Sequence, residues 1–537
     1  MRKVEPVALL SGRNTNTSTP PIHDSSHGSK KSSAATPLSR KTGDNAASIS
    51  SRLGDSLDVV SRTIGGNSPE AAAVVIVYIG SLIDQQMIHD NVIQPVMIAL
   101  HANKEQSSGL KMLELLSRNI IATGSMMAIK TEEEALEALL NGFCVIFVDG
   151  IEEALITVTA GGEQRSVNVP ITQTVIRGPQ HGFTEDIYTN LGLIRRIIRS
   201  PDLRLTGKRI GRRTQTNVFV AYIDGIAQQS VVDEVQRRLD AIDIDGIIES
   251  SYIEEFIQDR TFTPFPTVMN NERPDVVAAS LLEGQVAIIV DGTPFVLIAP
   301  VTFFKFFQSA EDYYQRFDIA SFLRLLRHIT FFASMLLPAL YIAVTTYHQE
   351  MLPTTLLISL AAQREGIPFP ALLEAFLMEI TFEVLREAGV RMPRAIGPAI
   401  SIVGALVLGQ AAVQAGLVSP AMVIVVAFTA ISNFVTPHIN IAIAARLIRF
   451  SLMLCAGLLG FFGIMTGIIV LLTHLAGLQS FGVPYMTPIA PFIKSSWKDI
   501  LIRAPRWAMK SRPEVLGGGK RKANASMPDW QRQKKPE

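Results

Sequence analysis

The sequence predicts an α/β duplicated cytoplasmic domain, built as two similar subdomains, followed by an all-α transmembrane helix bundle. Three observations lead there. Hydrophobic residues make up 48% of the chain and charged residues 18%, with a mean hydropathy of +0.27, although the first 60 residues are polar. The apolar residues must therefore be concentrated, and they are: 329–347, 395–415, 418–436 and 451–473 contain no formal charge. Each reaches the ~20 residues with which a helix crosses ~30 Å of hydrocarbon. The third observation is a pattern that occurs twice before these runs begin.

Residues 1–60 read as a disordered Ser/Thr-rich tail, because 11–52 offers almost no large apolar side chains to offset the entropy of ordering. Subdomain 1 covers 61–175. VVIVYI at 74–79 has the look of a buried strand, Thr131–Leu140 of a helix, and Phe143–Val148 and Ala154–Val158 of strands joined by a turn at Asp149-Gly150. Subdomain 2, at 216–315, repeats this order. YIGSLIDQQMIHDNVI (78–93) resembles YIDGIAQQSVVDEVQ (222–236), and ALLNGFCVIFVDG (138–150) resembles SLLEGQVAIIVDG (280–292). Tyr78 and Asp149 are 71 positions apart, Tyr222 and Asp291 69, and such agreement between separate matches points to an internal repeat. A repeat is compatible with a ligand-binding cleft between the copies and equally with a duplication kept for structure.

Between the copies, 176–215 is expected to form a basic helix and linker. Thr184 stands where a helix N-cap would, with Glu185 and Asp186 in the first turn, and Ser200-Pro201 ends the helix after Arg199. Arg195, Arg196, Arg199, Arg204, Lys208, Arg209, Arg212 and Arg213 follow closely on one another. A solvated linker, or a contact to an acidic partner or to lipid head groups, fits this stretch better than a phosphate site, since neither a glycine-rich loop nor aromatic interleaving accompanies it.

The transmembrane region spans 316–493 and a basic polar tail 494–537. Segment 353–388 is half apolar, broken by Pro368 and Pro370, and carries Glu374, Glu379, Glu383 and Glu387; an interfacial helix, a re-entrant piece and a fifth crossing all remain open for it. Arg324 and Arg327, then Arg386, Arg391 and Arg394, then Arg446 and Arg449 all favour the cytoplasmic side, and that demands five crossings. Lys494, Lys498, Arg503, Arg506 and Lys510 place the tail inside as well, which needs an even number. Either one cluster breaks the rule or Phe481–Ile493 re-enters.

Ionisable groups in a membrane are costly and face a partner or water. Glu379, Glu383 and Arg386 are therefore candidates for an ion path or subunit contact, with the amides Gln410 and Asn433 in the neighbouring spans. Gly397, Ser401, Ala405 and Gly409 recur every fourth residue, and Gly460, Gly463 and Gly467 continue the theme in the last span. Small side chains let helix backbones approach, so these are the candidate helix-packing positions, within one subunit or between subunits.

Other chemistry finds no support. The two cysteines, Cys144 and Cys455, fall in different parts of the chain, so neither a disulfide scaffold nor a cysteine zinc site is expected. There is no GxxxxGK(S/T), HExxH or GxSxG, and the nine histidines are scattered. No catalytic residue, metal ligand or cofactor is expected, and the protein is not expected to be an enzyme. A net charge of +1 argues against nucleic acid.

GFTEDIYTNLGLIRRIIRSPDL (182–203), EAFLMEITFEVLREAGVRMPRAIGPAISIVGALVLGQAAV (374–413) and IRAPRW (502–507) resemble the A subunits of the GerA family of spore germination receptors, and the resemblance covers about 60–512. It implies a multi-pass protein of the endospore inner membrane whose large N-terminal domain faces the spore core. It also implies two partners, a transporter-like B subunit that takes the nutrient and a lipoprotein C subunit, together with self-association into a homo-oligomeric ion channel whose opening starts germination. Two other readings stay open: a family paralogue that assists release of stored spore solutes without sensing nutrients, and an alternating-access transporter. Transporters of that kind usually carry inverted repeats among their spans, whereas the repeat here precedes them.

Overall fold

The computed structural model describes residues 36–65, 73–102, 109–116, 126–159, 170, 173, 175–391 and 407–517. Its first sheet contains β1 (Val59–Ile64), β2 (Val74–Ile79), β3 (Met126–Ile129), β4 (Phe143–Val148) and β5 (Ala154–Val158), in the order β1-β2-β4-β5-β3 with antiparallel neighbours. β2 has no polar face because both sides of the sheet are covered. Val75, Val77 and Ile79 pack with Ile49, Leu53, Leu136 and Leu139, whereas Val74 and Ile76 pack with Ile88, Val92 and Val96. Alternate side chains of a strand point to opposite faces, so two helical layers require an unbroken apolar run.

The second sheet follows the same path: β6 (Leu203–Ile210), β7 (Thr216–Ile223), β8 (Met269–Asn271), β9 (Val286–Val290) and β10 (Val296–Ala299), ordered β6-β7-β9-β10-β8. Asp149-Gly150 joins β4 to β5 and Asp291-Gly292 joins β9 to β10. Gly150 (φ 87°) and Gly292 (φ 85°) adopt the left-handed conformation that suits glycine. Smaller details agree too. Asn45 accepts from the Ser39 N–H at 2.7 Å and donates to the Ser39 carbonyl at 2.7 Å; Asn190 makes the same pair with Thr184 at 2.8 and 2.6 Å. The Gly150 N–H donates to the Arg40 carbonyl, and the Gly292 N–H to that of Glu185.

Several expectations change. Residues 36–58, assigned by composition to a disordered tail, belong to the first unit, and helix Thr42–Arg52 packs on its sheet. Ile49, Leu53 and the partly buried Ala46 supply its apolar anchor, and tertiary contacts do the rest: the Asn45 clamp and ion pairs from Arg52 to Glu132 (3.3 Å) and Glu133 (3.0 Å). Residues 1–35 lie outside the described residues. The cap of helix Ile187–Ile197 is Asp186 and not Thr184; its carboxylate accepts from the Thr189 N–H at 2.6 Å, while Thr184 is engaged with Asn190. The basic stretch is no linker, because its second half is β6 and its cations are drawn into pairs: Arg195 with Asp58, Arg204 with Asp224, Lys208 with Asp240 and Arg212 with Asp243.

Helix Ser250–Ile257 of the second unit gives a pH prediction. Burial, then repulsion from Glu249, pushes the Glu254 carboxyl up to about 7 against a hydrogen bond from Asn270. Between its ordinary value near 4.5 and that raised value, the folded chain holds a proton that the unfolded chain has released. This group therefore lowers stability as pH rises through that window. Thermal unfolding measured at about pH 5 and about pH 8 should show a smaller difference in Glu254→Gln than in the wild type; an unchanged difference would count against this assignment.

A 3-10 turn of aromatic residues, Phe303–Phe307 (FFKFF), joins the α/β half to the helical half. Phe307 meets Phe331 edge-on at 5.0 Å, Phe303 meets Tyr485 at 6.2 Å and Phe306 meets His438 at 5.8 Å. The core of the second unit thereby runs without a break into the helices. Two of those, Phe317–Thr346 and Ile439–Gly477, are long and apolar enough to cross a membrane, and Pro420–Phe434 is a shorter apolar helix.

Ile439–Gly477 is two helices. As one straight rod its 39 residues would reach about 58 Å, yet both of its ends touch the α/β side: His438 lies against Phe306, and the His474 ring is 2.9 Å from the Thr263 hydroxyl. The chain turns back at Gly460 (φ 60°, ψ −138°), where the Tyr347 hydroxyl at the far end of the first long helix donates to the Gly457 carbonyl at 2.8 Å. Among the described residues the helical half runs in antiparallel passes: 317–346 away from the α/β half, 371–391 back, a short helical stretch at 407–414, 420–434 back, and the two arms of the hairpin. Helix Ala371–Arg391, the acidic segment, is the second of them. The hairpin returns the chain to the α/β end of the bundle, and among the described residues Arg324, Arg327, Arg386, Arg446 and Arg449 lie toward that same end of their helices. At the start of Phe481–Ile493 the chain packs on the α/β half: Gln479–Pro484 forms a small ladder whose Phe481 sits under the Arg238 guanidinium, 4.2 Å from the ring centre.

Candidate functional site

The acidic helix and the ascending arm of the hairpin face each other, and their charges meet inside the bundle. Glu379 and Glu383 are four apart, hence on one face, while Arg446 and Arg449 are one turn apart on the other helix. Arg449 Nη2 lies 2.9 Å from Glu379 Oε2 and 3.3 Å from Glu383 Oε1, with both Arg449 and Glu379 fully buried. Arg446 Nη1 reaches Glu383 Oε2 at 3.0 Å, and Arg386 also pairs with Glu383. One carboxylate therefore serves three guanidiniums. Arg446 and Arg449 entered the sequence analysis only as topology markers; their spacing against that of Glu379 and Glu383 was the signal that could have placed them here. Near the far end, the buried Glu374 accepts from the Ser419 N–H and hydroxyl and so holds the start of helix Pro420–Phe434.

The other candidates separate. Asn433 is buried and lines a cavity of about 680 Å³ at the junction with the α/β half, together with Arg273, Glu311, Glu383, Arg386 and Arg446. Gln410 is exposed on its helix and joins none of these groups. Gly397, Ser401 and Ala405 lie outside the described residues. A Cβ added at Gly409 would make an ordinary contact with Val423 at 3.8 Å. At Gly460 it would meet His348, at Gly463 the Cys455 carbonyl, and at Gly467 the Leu452 side chain; these glycines close the hairpin within the chain.

A second charged network fastens the base of the bundle. Arg324 bridges Asp312 (3.0 Å) and Asp499 (2.9 Å), and Arg327 reaches Asp312 at 2.7 Å. The Tyr313 hydroxyl donates to Asp499 at 2.7 Å. Burial pushes the Asp499 carboxyl above the ordinary carboxylate range, against the opposing pull of Arg324. Asp312 and Asp499 gave no sign in the sequence, since they stand in segments remote from each other.

These features define a protein of two joined parts, an α/β half with two sheets of one topology and a helical half with a charged interior and two helices fit to cross a membrane. The chain belongs to the GerA family: residues 47–515 match the model of the Bacillus/Clostridium GerA spore germination protein. It is 50% identical to spore germination protein KA of Bacillus subtilis (strain 168), over 88% of this chain and 86% of the relative. It is 43% identical to spore germination protein GerLA of Bacillus cereus, over 80% of this chain and 87% of the relative. Among solved structures, the N-terminal domain of the A subunit of the Bacillus megaterium spore germinant receptor GerK3 is 38% identical, covering 50% of this chain and 98% of that one with a TM-score of 0.39.

Proposed function

We propose that this chain is the A subunit of a spore germination receptor in the endospore inner membrane. It crosses six times with both ends on the spore-core side, takes its signal from a transporter-like B subunit and a lipoprotein C subunit, and self-associates into an ion-conducting channel that triggers germination. The observation that carries the reading is the Glu379–Glu383–Arg446–Arg449 cluster, in which Glu379 and Arg449 are buried and Glu383 and Arg446 open toward the polar cavity under the α/β half. Ionisable groups at such depth are costly and mark pathways or contacts. The described passes, which bring Arg324, Arg327, Arg386, Arg446 and Arg449 to one end of the bundle, support the topology. The matching strand order and the paired Asn45 and Asn190 clamps support a further reading of the α/β half as a duplicated unit.

The test is germination of spores whose only copy carries Glu383→Gln. Neutralising Glu383 leaves Arg386 and Arg446 without their carboxylate, so germination is expected to be largely lost while the protein stays in the membrane. Glu379→Gln should impair it as well. Normal germination in both variants, at wild-type protein levels, would reject the ion-path role.

A further inference from the structure

The cavity at the junction is short of acceptors. Asn271 Nδ2, Arg273 Nε, Arg386 Nε, Asn433 Nδ2 and Arg446 Nε belong to residues that line it, are buried, and have no hydrogen-bond partner. Among the described residues, every unpartnered buried polar atom contributed by this lining is a nitrogen donor. Asn271, Arg273 and Asn433 are themselves 0%, 2% and 8% exposed, so bulk water does not relieve them. Buried polar groups are nearly always satisfied, and a cluster of orphans of one sign describes the missing ligand.

We propose that this cavity is a binding site for an oxyanion, a phosphate or carboxylate group, that bridges the α/β half and the bundle. The chemistry follows from the donors. A cation would meet N–H groups and guanidiniums. A water accepting from these donors would still have two protons of its own to place, a demand that an oxyanion does not make. Charge agrees with this: Glu379 and Glu383 are two carboxylates against the three guanidiniums of Arg386, Arg446 and Arg449, which leaves one guanidinium in excess. Guanidinium–oxyanion hydrogen bonds are among the stronger ones a protein makes. The group can belong to a small soluble acid or to a lipid head group, since Phe434, Val435 and Ile439 give the same cavity an apolar wall.

Position gives the site its consequence. Asn271 ends β8 and Arg273 precedes helix Pro274–Glu283, both in the α/β half, whereas Arg386, Asn433 and Arg446 come from three different passes of the bundle. An oxyanion held by both sets ties the halves together and stabilises the arrangement in which both sets converge. As regulation of germination this rests on the receptor reading; as binding it stands by itself.

The full-length chain, purified into nanodiscs of zwitterionic lipid, is titrated with sodium phosphate and with sodium citrate, with sodium chloride at matched ionic strength as control. Saturable heat of binding and a raised unfolding temperature are expected for phosphate or citrate. Arg446→Gln and Arg386→Gln should each weaken binding about tenfold or more, since each removes charge-assisted hydrogen bonds. Glu387→Gln, which removes a lining carboxylate paired with Arg391, should tighten it. Nanodiscs of phosphatidylglycerol form the lipid arm: if the head group is the occupant, they raise the unfolding temperature in an Arg446-dependent way and abolish the phosphate response. No saturable effect of phosphate, citrate or phosphatidylglycerol overturns the proposal, and so does binding indifferent to both arginine substitutions. Should the arginine variants fail to fold, unchanged or weaker binding in Glu387→Gln overturns it instead. An oxyanion site in a chain whose Glu379→Gln and Glu383→Gln spores both germinate normally would keep this inference and reject the ion-path role.

Discussion

Arg195→Met should destabilise the α/β half by about 3–5 kcal/mol, the cost of breaking a fully buried ion pair from one side. Arg195 Nε and Nη2 donate to the two oxygens of Asp58 at 2.6 and 2.8 Å, and the side chains are 0% and 1% exposed. A third donor, the Ser81 hydroxyl, reaches Asp58 at 3.0 Å. Asp58 lies at the start of the first sheet and Arg195 on the helix that opens the second unit, so the pair joins the two units. Without the guanidinium, the buried carboxylate keeps the Ser81 hydroxyl but loses its counter-charge. The double variant Asp58→Leu, Arg195→Met should recover much of the loss, because apolar pairs often replace buried ion pairs at little cost. Urea unfolding of the detergent-purified chain, followed by circular dichroism and limited proteolysis, measures both. A single variant as stable as wild type, or a double variant no better than the single, would refute this account.

The second large effect is expected at the hairpin. Gly460 has φ 60° and ψ −138°, close to a region that only glycine populates, where a side chain costs about 1–3 kcal/mol. A Cβ there would also lie 2.7 Å from His348 Cε1 and 3.0 Å from Tyr347 Cβ. Residues on both sides are already helical, so Gly460→Val favours the continuous helix that the turn prevents. The tail would then emerge on the opposite face of the membrane or the protein would be degraded, and germination fails either way. Labelling of a cysteine placed at Lys510 with a membrane-impermeant maleimide reads the outcome directly. Wild-type labelling together with normal germination in Gly460→Val would mean that the reversal does not need glycine.

Legibility in the sequence followed the range of the interactions. Phe143–Val148 and Ala154–Val158 stand out because an apolar run with a turn dipeptide is local information, and the structure places strands on those residues. Helix Thr42–Arg52 does not stand out. TGDNAASISSR is polar, and what orders it is the Asn45 clamp and the ion pairs of Arg52 with acids some 80 positions away. The reversal at Gly460 was hidden for a different reason: a glycine in an apolar run reads alike whether the helix continues, kinks or turns back. For the site, Glu379 and Glu383 were visible by spacing, yet their partners lie some 65 positions on, and pairing across a bundle depends on packing that no local pattern encodes.

The C-terminal segment is where the geometry reaches furthest. Asp499 is held by Arg324 and Tyr313, Arg512 Nε donates to the Leu282 carbonyl at 2.8 Å, and the Gln228 amide donates to the carbonyls of Glu514 and Val515. The α/β half is therefore tied to the bundle at both ends of the helical chain: through the shared core and the chain entering helix Phe317–Thr346, and through this strap returning from the last pass. Any torque applied to such a platform must load the first and last passes of the bundle together.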